Sequence, residues 1–261
     1  MTQKKKYKNT TPKNESSETK KNFYKRLLYI ALCAVPIYLF ASEKGTFRLV
    51  PLPFFLIGMY QLLILTQSSQ FIVDAFFPPK VAYEKTSKPF DRFMYRFASG
   101  LFGTGLIALL FEVRKIDNTI NGTSLFWTSG LVGIGLAVLL TVLLKRTNPS
   151  VYDESRRRYT VHFGLFVGLF LLSAAGGSFI NHFFADENEN CASYTLLRKG
   201  ISGSRSKEHF IFLLLQNNNE ERFSIDESLY DKSREGGKIE LCTIKGQLGF
   251  ECVTDFNAIE K

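Results

Sequence analysis

Apolar runs of membrane length restrict the architecture of this chain more than any other feature. Each is long enough, or nearly so, to cross a bilayer as a helix, which takes ~20 residues at ~1.5 Å per residue. The sequence therefore predicts five spans, at about residues 27–42, 49–66, 97–113, 125–144 and 162–180.

The first two runs contain prolines that bear on their limits. Pro36 predicts a kink inside the first span, which neighbouring helices must accommodate. A long polar segment precedes this run, so we interpret it as an uncleaved span rather than a signal peptide. Pro51 and Pro53 suit the first turn of the second span. That helix is free to continue through Phe71 until Pro78-Pro79 stops it.

Basic residues are distributed in a way that predicts the orientation of the spans. Segments 1–26, 69–96 and 145–161 hold nine, five and five Lys/Arg, whereas segments 43–48 and 114–124 hold two each. Because positive residues stay on the cytoplasmic side, the amino terminus is expected in the cytoplasm and the carboxyl end outside it. Within the fourth intervening segment, Arg156-Arg157-Arg158 is interpreted as a stop signal before the fifth span.

The net charge of +9 does not indicate nucleic-acid binding. Residues 183–261, the part able to fold in water, hold ten Lys/Arg and fourteen Asp/Glu and present no basic face. The basic excess lies in residues 1–23, which are polar and predicted to be a disordered cytoplasmic tail. The loop 80–96 mixes aromatic and basic residues, so we expect a short helix lying in the membrane interface.

Two of the spans contain similar glycine-bearing stretches. The segment Ser99-Gly-Leu-Phe-Gly-Thr-Gly-Leu106 returns as Ser129-Gly-Leu-Val-Gly-Ile-Gly-Leu136, by duplication or by a shared demand for packing. Small residues at helical spacing let membrane helices approach closely. The predicted packing positions are Ser99, Gly100, Gly103, Ser129, Gly130, Gly133, Gly164 and Gly168.

From about residue 188 the pattern changes to short, partly alternating apolar runs separated by turn residues. This pattern predicts a small all-β domain over residues 188–261. We expect the run Phe210–Leu215 to be its central buried strand, because it is too short for a sixth span. The predicted fold is therefore an α-helical multi-span bundle, over residues 24–183, followed by an extracytoplasmic β-domain.

Three of the four cysteines, Cys191, Cys242 and Cys252, lie in the predicted β-domain. Outside the cytoplasm a disulfide is chemically allowed. A hairpin around Gly246 would bring Cys242 near Cys252, and a bond from Cys191 to either is equally compatible with the sequence. Three reduced, buried cysteines are the remaining alternative.

The sequence does not favour an enzyme. His162 and His182 flank the fifth span, and the cluster of His182, Asp186, Glu187, Glu189 and Cys191 lacks the convergent spacing of a metal site. Phosphate-binding glycine loops, H-E-x-x-H, C-x-x-C and nucleophile elbows do not occur. We predict no cofactor and no metal. The spans have no ionisable residue near their middles, and Glu112 lies near an end.

Two function classes follow. The first is a scaffold, accessory subunit or assembly factor of an envelope complex, with the lipid bilayer and a membrane or periplasmic protein, or a second copy, as partners. The alternative is a transporter or lipid-handling protein with a polar pathway between the third, fourth and fifth spans, lined by Ser99, Thr104, Ser129 and Ser173. The compact loops and the Lys-, Asn- and Phe-rich composition favour a bacterial inner membrane.

Overall fold

The computed structural model describes residues 13–40, 50–81, 88–202, 208–215 and 219–258. Helices precede a β-domain in which one short helix interrupts the strands. The helices are α1 (Lys13–Phe40), α2 (Pro51–Gln67), α3 (Ser69–Phe76), α4 (Pro89–Asp117), α5 (Gly122–Thr147), α6 (Ser155–Phe183) and α7 (Glu227–Lys232). The strands are β1 (Glu189–Ser202), β2 (Glu208–Leu214), β3 (Glu220–Ile225), β4 (Lys238–Lys245) and β5 (Glu251–Ala258).

Within the described ranges, three helices, α4, α5 and α6, are long and apolar enough to cross a membrane. They contain the third, fourth and fifth predicted spans and extend beyond them at both ends. The pair α2 and α3 passes the same test only as one span with a bend of 63°. The first predicted span lies in α1, and its last two residues fall outside the described part of the chain. A count of five spans thus remains an expectation.

Helix α1 begins at Lys13, so the prediction of a disordered tail over residues 1–23 is wrong for its second half. Residues 1–12 lie outside the described ranges. The physical reason is a packing partner that the local composition did not reveal. The ring of Phe76 in α3 lies 5.5 Å from that of Phe23 and 5.9 Å from that of Tyr24.

The predicted continuation of the second span is interrupted at Ser68, where α2 ends and α3 begins at an angle. Hydroxyl groups compete with the helical backbone on both sides of the break. Thr66 donates to the carbonyl of Leu62 at 2.9 Å, and Ser69 donates to the carbonyl of Thr66 at 2.7 Å. Such side-chain bonds bend helices, and here they separate two segments that composition alone would join.

The chain divides into two compact units, one of Met1–Tyr95 with Leu144–His162 and the other of Arg96–Leu143 with Phe163–Lys261. The first unit holds a buried ionic cluster. Arg157 is 3% exposed and donates to the carbonyls of Ser150 and Val151, to Glu154 at 3.1 Å, and lies 3.7 Å from the carboxylate of Asp91.

The neighbouring arginine is also paired. Arg158 donates to Asp74 of α3 at 2.6 Å, and the hydroxyl of Ser155 donates to the same carboxylate. Arg157 and Arg158 thus have structural partners in addition to the stop-signal role predicted for Arg156-Arg157-Arg158, which stays a prediction. Asp91 and Asp74 stand more than sixty residues earlier in the chain, so these two pairings could not be read from the triplet and its neighbours.

In the second unit, α6 packs against both α4 and α5 through its small residues. A Cβ atom at Gly164 would collide with Ala98, and one at Gly168 would come within 2.9 Å of the Phe102 backbone nitrogen. The opposite side of α6 faces α5, where Gly130 lies against the ring of Phe170. Gly133 lies against Leu169 in the same contact. These four predicted glycines have the expected close neighbours.

The first copy of the glycine repeat does not form the expected contact at Gly100 and Gly103. A Cβ atom at either position would meet no described atom within 4 Å. The surface of α4 that approaches α6 contains Ala98, Leu101 and Gly105. These residues lie on the other side of the helix from Gly100 and Gly103 at 3.6 residues per turn. The same glycine spacing in α4 and α5 therefore does not place the glycines of both helices at a helix contact.

The β-domain is an antiparallel five-stranded sheet in the order β3-β2-β1-β4-β5. The long β1 is central, which corrects the expectation that Phe210–Leu215 forms the central strand. The sheet curves like half of a barrel, and Phe223 of β3 and Phe256 of β5 approach with ring centroids 5.7 Å apart. Its concave core consists of Leu196, Ile211, Leu213, Leu215, Phe223, Ile239 and Leu241.

The close contact at Gly164 makes a matched pair of substitutions informative. Gly164→Ala should lower the unfolding free energy by ~1–3 kcal/mol, because the added methyl overpacks the α4–α6 contact. Gly100→Ala should leave it unchanged or raise it by up to ~1 kcal/mol, as expected for glycine in an open helical position. Thermal unfolding in detergent measures both. Equal destabilisation by the two variants would contradict the assigned faces.

Candidate functional site

The β-domain rests on the ends of the long helices within the second unit. The connection between α4 and α5 pairs with the beginning of β5 through its backbone. Ile120 N–H donates to the carbonyl of Glu251 at 2.8 Å, and Val253 N–H donates to the carbonyl of Asn118 at 2.9 Å. The connection thus adds a short strand-like segment to one edge of the sheet, between residues 118 and 120.

Asn181, near the end of α6, fixes the turn between β4 and β5. Its side chain is fully buried. The amide nitrogen donates to the carbonyl of Phe250 at 3.1 Å, and the amide oxygen accepts from Leu248 N–H at 3.0 Å. The backbone carbonyl of Asn181 accepts from Gln247 N–H at 3.2 Å. Gly246 lies directly against the amide, where any Cβ atom would overlap it.

The thiol of Cys252 completes this buried junction. Its sulfur lies 3.1 Å from the Asn181 amide nitrogen, and the Thr119 hydroxyl next to it lies 2.9 Å from His182 Nε2. Burial raises the pKa of the Cys252 thiol, and hydrogen bonds from Thr119 and Asn181 oppose the shift. The thiol therefore stays protonated near neutral pH and acts as a packed, polarisable group.

A cleft of about 390 Å³ opens beside the junction. This volume lies within the ~300–1,000 Å³ typical of ligand pockets. Three separate parts of the chain line it: the α4–α5 connection, the interior of β1 with the residue that follows β2, and the β4–β5 turn with the first residue of β5. The lining residues are Ile120, Asn121, Tyr194, Leu215, Gly249, Phe250 and Glu251.

Polar groups of the cleft are acidic or neutral. Glu251 is exposed, and Tyr194 is partly buried beside it. Burial raises the pKa of the Tyr194 phenol, and the charge of Glu251 raises it further. The phenol therefore remains a neutral hydrogen-bond donor at physiological pH. An exposed carboxylate and a phenol above an apolar lining can bind a cationic or hydrogen-bonding group attached to an apolar body.

The carboxylate of Glu221 accepts from the backbone of Asn121, one of the residues that line the cleft. Asn121 has a positive φ of 57°, which Asn tolerates better than most residues. Its N–H is shared between the two carboxylate oxygens of Glu221, at 2.9 and 3.2 Å. Burial raises the pKa of Glu221, while the Asn121 N–H lowers it by a smaller amount.

The structure brings two of the three candidate cysteines together. Cys191 and Cys242 stand directly opposite each other on β1 and β4 and form a disulfide. Cys252 is free and buried in the junction. The two cysteines are fifty-one residues apart in the chain, and the register between β1 and β4 brings them together. This register could not be read from the sequence.

The positions proposed to line a transport pathway lie in different surroundings. Ser129 lies against Gly177, and Ser173 lies against Gly133, so both are in close helix contacts. Thr104 donates to carbonyls of its own helix at Gly100 and Leu101. Glu112, expected near a span end, is 8% exposed and accepts from Ser178 and Lys115. The predicted pathway between the third, fourth and fifth spans stays a prediction.

Sequence reasoning missed the cleft because its lining comes from distant segments. The sequence does contain turn signals at Asn121-Gly122 and Gly249. They indicate where the chain reverses, but not that these two turns lie next to each other in the fold. Comparison with protein-family models, curated proteins and solved structures finds no match to this chain.

Removing the Asn181 side chain should loosen the β-domain from the helices. Asn181→Ala leaves the Leu248 N–H and the Phe250 carbonyl without their buried partner, at a cost of ~1–3 kcal/mol per unsatisfied group. Thermal unfolding in detergent should show a lower midpoint. Asn257→Ala, at an exposed position of β5, is the control and should unfold like the wild type.

Glu221 should make stability depend on pH. Its folded pKa lies above its ordinary value of 4.5, so folding favours the protonated form. The stabilisation is complete below the unfolded pKa and is lost as pH rises through the folded pKa. Glu221→Gln should therefore match the wild type at pH ~4 and exceed it increasingly towards neutral pH. The exposed variant Glu227→Gln serves as the control, and a pH-independent difference for Glu221→Gln would contradict the assignment.

Proposed function

We propose that this protein is a non-enzymatic scaffold or accessory component of an envelope complex, which binds a partner protein through its β-domain. In this proposal the helices anchor it in a bacterial inner membrane, with the amino terminus in the cytoplasm. The β-domain then stands on the outer side. Segments 1–26, 69–96 and 145–161 together hold nineteen Lys/Arg, against four in segments 43–48 and 114–124, and this asymmetry supports the orientation.

The observation that supports binding is a cleft whose walls are hydrogen-bonded to neighbouring segments. One wall is tied to β5 by two backbone hydrogen bonds, and the turn beneath it is fixed by Asn181. A site held in one conformation loses little entropy when a ligand binds, so more of the contact energy appears as affinity. These hydrogen bonds also link any bound partner directly to the membrane helices.

The lining favours an extended protein segment as the occupant. Ile120, Leu215 and Phe250 offer apolar contacts, while Glu251 offers a carboxylate to a basic side chain or a backbone N–H. The segment 183–261 is acidic in balance, which complements a basic partner. The α4–α5 connection already pairs with the beginning of β5, so we expect the partner in the cleft rather than along that part of the sheet edge.

Site-specific photo-crosslinking in native membranes tests this function. A benzophenone amino acid in place of Phe250 should form one discrete adduct with a partner polypeptide. The same amino acid in place of Ile201, which is 50% exposed on β1 and does not line the cleft, should not. Glu251→Lys added to the first variant should reduce the adduct at least ~10-fold, which corresponds to ~1.4 kcal/mol of lost affinity.

Equal crosslinking from the two positions, or an adduct unaffected by Glu251→Lys, would contradict binding in the cleft. An adduct between two copies of this chain would identify the partner as a second copy. Adducts with lipid alone would favour the lipid-handling alternative and would count against a scaffold.

A further inference from the structure

Three metal-ligating side chains meet on the face of the sheet opposite its core. Cys191 and Cys242 are paired in register, and Leu241, next to Cys242, points into the core. Side chains alternate between faces along a strand, so Cys242 faces outward. Glu189, two residues before Cys191, shares that outer face. One carboxylate oxygen and the two sulfur atoms lie within 4.8 Å of one another.

Neighbouring groups position the carboxylate and leave the cluster open to solvent. The single hydroxyl proton of Thr254 on β5 has two acceptors within reach, the carboxylate of Glu189 and the carbonyl of Cys242, the latter at 3.0 Å. Glu189 and Cys191 are exposed, whereas Cys242 is 4% exposed. A hydrogen-bonded carboxylate beside two sulfurs, reachable from one side, is an arrangement that suits a metal ion.

We propose that Glu189, Cys191 and Cys242 bind a divalent metal ion of the zinc type when the disulfide between the two cysteines is reduced. Thiolate and carboxylate are both accepted ligands of Zn²⁺, and three protein ligands with a water molecule complete its tetrahedral shell. The site is separate from the cleft and does not depend on the function proposed for it.

The disulfide is first reduced, and the metal ion then binds. A dithiol reductant gives two electrons and two protons to the Cys191–Cys242 bond, the sulfur–sulfur bond breaks, and the reductant's own sulfurs become a disulfide. The product carries two thiols. The metal ion then replaces both thiol protons, which pass to solvent, while Glu189 binds as the carboxylate.

The carboxylate of Glu189 favours a metal-bound state of the two reduced cysteines over a metal-free pair of thiolates. The negative charge of Glu189 opposes the formation of thiolates beside it, because like charges disfavour ionisation. A bound divalent cation reverses this effect and favours the deprotonated sulfurs. Cys252 cannot contribute, since it is buried in the junction with α6.

Zinc titration of the full-length protein in detergent, after reduction by a dithiol and its removal without oxygen, tests the site. The reduced protein should bind one Zn²⁺ more than the oxidised protein and release two protons with it. Glu189→Gln should weaken this binding at least ~10-fold, since even outer partners of metal ligands are worth ~10–100-fold. The matched control is Glu240→Gln, which changes a β4 carboxyl two residues from Cys242 and outside the cluster.

The double variant Cys191→Ser, Cys242→Ser should lose the additional zinc. Thiol alkylation of the unaltered protein provides a second measurement that does not depend on how variants fold. Zinc should protect Cys191 and Cys242 in the reduced protein, as read by mass spectrometry. Equal zinc binding by the oxidised protein, no protection of the two thiols, or wild-type affinity in Glu189→Gln would overturn the proposal.

Discussion

The buried amide of Asn181 is the interaction on which the relation between helices and sheet in the second unit depends. It belongs to α6, yet its nitrogen and oxygen pair with the backbone of the β4–β5 turn. An amide offers donors and an acceptor on one planar group, so one side chain satisfies two backbone groups that would otherwise be buried unpaired. Gly246 leaves the space that the amide needs. The cleft follows from this arrangement, because the turn that Asn181 holds forms one of its walls.

Buried polar groups recur where the chain changes direction. In the first unit, Arg157 satisfies the carbonyls of Ser150 and Val151 while pairing with acidic groups. Removing one partner of such a pair leaves an uncompensated buried charge, which costs ~3–5 kcal/mol. In the second unit, Glu112 accepts from Ser178 across the α4–α6 contact. Polar residues near helix ends in this protein thus hold neighbouring segments together rather than simply facing water.

The sequence predicted those features that depend on local pattern. Membrane-length helices over α4, α5 and α6 and a β-domain follow from hydropathy and period, and the structure confirms them. What failed required knowledge of distant neighbours: the partners of Arg157 and Arg158, the helix face of Gly100, and the packing of Phe23 on Phe76. The cleft and the Cys191–Cys242 pair belong to the same class, since strand register decides which residues meet. Hydropathy and period indicate whether a segment is a helix or a strand. The partners of a buried charge are decided by the tertiary structure.

The backbone pairing between the α4–α5 connection and β5 has a mechanical consequence. Residues 118–120 are joined covalently to two membrane-length helices and by hydrogen bonds to a strand. A change in the relative tilt of α4 and α5, such as a thinner or thicker bilayer induces, must therefore displace β5 or break those bonds. Ile120 and Glu251, which are hydrogen-bonded through their backbones at this point, both line the cleft, so such a displacement would also move part of the cleft wall.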